Sequence, residues 1–70
     1  MKIQVNGEDR DVPEGMTIAG LARQLDVRSD RVAVEVNLQI LDREEFERRQ
    51  VHEGDHVEII GFIGGGLEEF

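Results

Sequence analysis

The chain contains no cysteine, no tryptophan and no tyrosine, and a single proline among its 70 residues. Without cysteine it has no disulfides, no thiolate metal ligands and no thiol nucleophile. With three phenylalanines as its only large aromatics, its core has to be aliphatic. Positive charge is also scarce: 8 basic side chains face 16 acidic ones, a formal net charge of −8. A surface of that sign excludes nucleic acid, whose phosphates need a basic face. It suits solubility and a partner with a positive docking surface. No apolar run approaches the roughly 20 residues of a membrane span. Met1–Val5 reads as a strand rather than a signal-peptide core. A cytoplasmic protein, monomeric when alone, is the expectation.

What is present fills one domain, near the lower size limit for an unstapled core. Ile3 and Val5 alternate with Lys2, Gln4 and Asn6, the period of a half-buried strand. Asn6-Gly7 is the strongest short hairpin signal, because a type I′ turn needs positive φ at both central residues. The return strand runs from about Asp9 to Val12 and ends at Pro13. Thr17 is placed to cap a helix. Ile18, Leu21, Ala22 and Leu25 form one apolar stripe, and the helix should stop near Asp26. Arg31 to Asn37 reads as a third strand with Val32, Val34 and Val36 on one face. A short extended piece follows from Leu38 to Leu41, then a helical turn ending at Phe46, the expected plug of the core. The last strand is His56 to Ile63.

One helix between two hairpins must cover the only apolar face of the sheet. The first and last strands then pair in parallel at the centre. The expected fold is α+β, a β-grasp (ubiquitin-like) roll of four to five strands in a mixed sheet on one main helix. Residues 1–63 form the single domain, 64–66 a flexible glycine tail, and 67–70 an extension. So thin a core leaves no room for a buried ligand site of several hundred Å³. The open face of the sheet is different. With Val57 and Ile59 toward the helix, Ile60 and Phe62 turn outward beside the tail, a candidate patch for a partner.

Sites for catalysis are hard to find. His52 and His56 are four apart, but Glu53-Gly54-Asp55 between them is a turn, and no third ligand lies nearby. Asp42, Glu44, Glu45 and Glu47 interleave with Arg43, Arg48 and Arg49 as a solvated, salt-bridged face. Gly64-Gly65-Gly66 lacks the lysine-serine pair and following helix of a phosphate loop. No catalytic residue, metal site or bound cofactor is expected. The glycines instead offer a slender peptide that can enter a narrow channel.

In order and spacing, several segments resemble the bacterial sulfur carrier proteins of thiamine (thiazole) biosynthesis. They are Ile3-Gln4-Val5-Asn6-Gly7, Val34 to Ile40, Arg43-Glu44-Glu45-Phe46, Glu53 to Ile59 and Phe62 to Gly66, and together they span nearly all of residues 1–66. The small subunit of molybdopterin synthase shares the fold and the glycine end, but its members are usually longer. The resemblance implies a carrier and not an enzyme. A ubiquitin-activating-enzyme-like adenylyltransferase would adenylate the carboxylate of Gly66, with Gly64 and Gly65 as its lead. A sulfur donor would then displace AMP, leaving a thiocarboxylate for a thiazole synthase. Here Leu67-Glu68-Glu69-Phe70 follows Gly66, so these four residues are either a native tail for a protease to remove or a cloning remnant. A carrier for another pathway (molybdopterin, amino-acid or secondary-metabolite synthesis) and a noncovalent ubiquitin-like module are the alternatives.

Overall fold

The computed structural model describes residues 1–63 and 66–69; Gly64, Gly65 and Phe70 lie outside the described residues, and side chains are described through Gly61. The first hairpin pairs β1 (Lys2–Val5) with β2 (Glu8–Asp11), closing at Val5 opposite Glu8. Between them Asn6 has φ 51° and Gly7 φ 83°, the two positive angles of a type I′ turn. Val12, just past β2, is buried.

Helix α1 (Ile18–Gln24) begins where Thr17, in extended conformation, accepts a hydrogen bond on its Oγ1 from the Gly20 amide at 3.0 Å. It ends at Leu25, and Asp26 turns the chain with φ 58°. Ile18, Ala19, Leu21 and Ala22 are its buried face. A Cβ at Gly20 would meet Thr17 Oγ1 at 3.4 Å and Met16 at 3.6 Å, an ordinary contact, so this glycine is tolerated rather than required.

Strand β3 (Val32–Val36) turns Val32, Val34 and Val36 inward, each at most 2% exposed. It hairpins into the two-residue β4 (Gln39–Ile40). A short 3₁₀ turn at Arg43–Glu45 then delivers Phe46 into the core at 4% exposure. Strand β5 (His56–Ile63) buries Val57 and Ile59. It pairs in parallel with β1 through Gln4–His56 and Val5–Val57, and antiparallel with β3 from Val32–Gly61 to Val36–Val57. The strand order is β2-β1-β5-β3-β4, with α1 on one face: the β-grasp arrangement. Among the described residues the core is aliphatic apart from Phe46, and its members lie at or before Ile59. Among the described residues no helix is long and apolar enough to cross a membrane.

One element has no counterpart in the sequence reading. The backbone of Gly66–Glu69 forms a sixth strand, β6, antiparallel to β5, from Ile63 opposite Gly66 to Ile60 opposite Glu69. The backbone of Gly66–Glu69, the last expected tail residue and the start of the extension, thus pairs with the edge of β5 that β1 does not reach. That edge offers unmatched amides and carbonyls, which a returning chain can pair.

Candidate functional site

Ile60 and Phe62 lie on β5, and Gly64-Gly65-Gly66 follows it in sequence, so the two edges of β5 frame the site. On the β1 edge, Asn6 continues the ladder where β1 stops. Its amide donates to the Val57 carbonyl at 2.9 Å. Its Oδ1 accepts from the Ile59 amide at 2.8 Å, and its Nδ2 donates to the Ile59 carbonyl at 3.3 Å. A carboxamide has the donor and acceptor of a peptide group, so Asn6 fills the gap between β1 and β6 as one more rung.

On the β3 edge, Asn37 plays the corresponding part. Its amide donates to the His56 carbonyl at 2.8 Å and its Oδ1 accepts from the His56 amide at 3.0 Å. Its Nδ2 donates to Asp55 Oδ1 at 3.0 Å. Asp55 is buried, at 8% exposure, and its other oxygen accepts from the His52 amide at 2.8 Å. Burial alone would raise the Asp55 carboxyl. The hydrogen bonds from Asn37 and the His52 amide, with Arg49 at 3.7 Å and His52 Nδ1 at 3.9 Å, outweigh that and hold it below its ordinary value. The knot anchors the start of β5. It is structural, since its hydrogen-bonding capacity is spent within the fold.

The outer face of the sheet carries the candidate partner surface. Residues alternating with the buried valines point there: Ala33 and Glu35 on β3, Glu58 and Ile60 on β5, all half-buried. Ile60 lies opposite Ala33, as its expected outward facing requires. The backbone of Phe62 pairs with Leu67, while its side chain lies outside the described residues. Gly66 sits opposite Ile63, and Gly64 and Gly65 lie outside the described residues.

Two residues outside the expected patch are large, apolar and exposed. Leu38 is 90% exposed and Ile40 is 73% exposed. Ile40 stands opposite Glu35, which stands opposite Glu58, so the three form one row across β4, β3 and β5. Leu38 is the second turn residue after Asn37, with φ 70°. Asn37-Leu38 is a poor turn signal because a type I′ turn favours glycine at its second position. The asparagine alone could have hinted at it.

The ThiS family model matches residues 3–66, nearly the whole chain and ending at the third glycine. The chain belongs to the ThiS family. It is 33% identical to the sulfur carrier protein ThiS of Escherichia coli, over 94% of this chain and 100% of that one. The crystal structure of the thiamine biosynthesis protein (ThiS) from Geobacter metallireducens matches with a TM-score of 0.82 at 38% identity, covering 94% of this chain and 100% of that one. A thiazole synthase of Paramagnetospirillum magneticum is 42% identical over 69 residues, 99% of this chain but 21% of that protein. The chain therefore spans about a fifth of that synthase and the full length of the family's stand-alone members named here.

Proposed function

We propose that this chain is a sulfur carrier whose reacting group is the carboxylate of Gly66, freed by removal of the residues after it. The observation that carries the reading is the place of the glycines: Gly64-Gly65-Gly66 directly follows the central strand β5, and the family match stops at Gly66. Among the described residues there is no nucleophile-base pair, and the buried carboxylate of Asp55 is spent on the fold. In the proposed sequence, the Gly66 carboxylate attacks the α-phosphorus of ATP on an adenylyltransferase and expels pyrophosphate. The resulting acyl-adenylate has a good leaving group where a carboxylate has none. A sulfide equivalent from a sulfur donor then attacks the carbonyl carbon, AMP departs, and Gly66 carries a thiocarboxylate.

Sulfur passes from there to a thiazole synthase for thiamine formation. The likeness of the chain to one end-to-end segment of a thiazole synthase supports that acceptor. Three extended glycines reach roughly 10 Å, enough to enter an active site while the body stays outside. Ile60 and Phe62, at the tail end of β5, are the proposed contacts of the body with the adenylating partner. Phe62→Ala should weaken that contact while the fold holds. The direct test incubates the form ending at Gly66 with ATP, the adenylyltransferase and a sulfur donor. Intact mass should rise by an AMP group and then settle above the starting mass by the difference between sulfur and oxygen. A mass that never changes, with partners still bound, would make the chain a noncovalent module instead.

A further inference from the structure

A cleft beside Asn6 has the chemistry of a seat for one apolar side chain. It lies between the first hairpin and the end of α1, on the helix side of the sheet. Its lining is Val5, Leu25, Val27 and Ile59, with Asn6 and the exposed Glu8 and Arg10. Leu25 and Val27 pack on the core yet are only half-buried. At about 250 Å³ the cleft is smaller than a small-molecule site, which takes roughly 300–1,000 Å³. A side chain of the protein itself is the occupant of the right scale.

The register of β6 brings the chain to this place. Gly66, Leu67, Glu68 and Glu69 stand opposite Ile63, Phe62, Gly61 and Ile60, so β6 runs toward Asn6. One more step of the same register would bring Phe70 opposite Ile59. The Ile59 amide and carbonyl are bonded to the Asn6 side chain, so the ladder ends at Glu69 and the next residue leaves it at the cleft. Opposed residues of an antiparallel pair share a face, and Ile59 is buried on the helix side. We propose that Phe70 seats in this cleft against Leu25 and Val27, latching residues 66–69 onto the edge of β5. An aromatic ring suits the site, since the aliphatic lining can cover it and Arg10 can lie over its face. The consequence rests on the reading under Proposed function. A latched chain keeps Gly66 in a ladder with Ile63, out of any partner's channel. The Gly66-Leu67 bond then lies within β6, where a protease has to wait for the strand to open. Removing the extension both creates the carboxylate and releases the tail.

The test is NMR of the 70-residue chain beside Phe70→Ala and the form ending at Gly66. A seated ring should shift the methyl signals of Leu25 and Val27 in the parent and show dipolar contacts to them. Both effects should vanish in the other two proteins, which should stay folded because the described core lies at or before Ile59. The amides of Leu67–Glu69 that bond β5 should exchange about tenfold or more faster in Phe70→Ala. Leu25 and Val27 methyl signals unchanged between the parent and Phe70→Ala would overturn the inference. So would shifts that vary with protein concentration, because a second copy would then fill the cleft. The measurement uses neither ATP nor a partner. Failure of the carrier reading would show separately, as a form ending at Gly66 that never gains AMP.

Discussion

Two turns with nearly the same backbone do different work in this molecule. Asn6-Gly7 and Asn37-Leu38 each join two strands through a pair of positive φ angles, 51° and 83° in one, 51° and 70° in the other. In both, the asparagine amide donates to a β5 carbonyl and the side-chain oxygen accepts from a β5 amide. The two asparagines therefore clasp β5 from opposite edges. The difference is the second residue. Glycine adopts its angle at no steric cost, whereas leucine is held there under strain and in solvent. Asparagine at the first position serves the fold at both turns; leucine at the second is left in solvent, 90% exposed.

Removing the clasps should give the largest effects. Asn6→Ala leaves the Ile59 amide and carbonyl without their side-chain partner and should cost about 2–3 kcal/mol. Asn37→Ala should cost less, about 1–2 kcal/mol, because Asn37 is the more exposed of the two. Urea unfolding of both variants measures the pair, and equal losses would break the ranking.

Exchanging the second residues should move stability in opposite directions. Gly7→Leu should destabilise by about 1–2 kcal/mol, the cost of a left-handed side-chain-bearing residue. Leu38→Gly should stabilise by about 0.5–1 kcal/mol, the relief of strain less the entropy glycine loses on folding. A loss of stability in Leu38→Gly would mean that Leu38 contributes to the fold after all.

The Asn37 clasp should also carry a pH dependence that the Asn6 clasp lacks. The folded-state carboxyl of Asp55 titrates below its ordinary 3.8. A depressed carboxylate contributes stability that is present above the unfolded value and fades as pH falls through the folded one. The stability difference between the parent and Asp55→Asn should thus be constant near neutrality and shrink below 3.8. A difference that grew with acid would reverse the sign assigned to Asp55.

The comparison of turns also marks what could be read in advance. Asn6-Gly7, the α1 stripe and the inward valines of β3 were legible because each pattern has one cheap backbone solution. Phe46 was legible as a plug because an aromatic among alternating charges has few other uses. Leu38 was not, since propensity argues against leucine at positive φ and only the tertiary hairpin imposes it. Nor was β6: glycines carry no periodicity, and pairing of Gly66–Glu69 depends on an edge of β5 visible only after the sheet is assembled. At the site, the inward Val57 and Ile59 of β5 followed from alternation, while the row of Ile40, Glu35 and Glu58 depends on the register of three strands.

The central claim is that Gly66 is the point of activation, and intact mass on two forms tests it most directly. The 70-residue chain and the form ending at Gly66 are each incubated with ATP and the adenylyltransferase. An internal Gly66-Leu67 amide has no carboxylate to attack ATP, so the longer form should keep its mass while the shorter one gains AMP. AMP on the 70-residue chain, or none on the form ending at Gly66, would contradict the assignment.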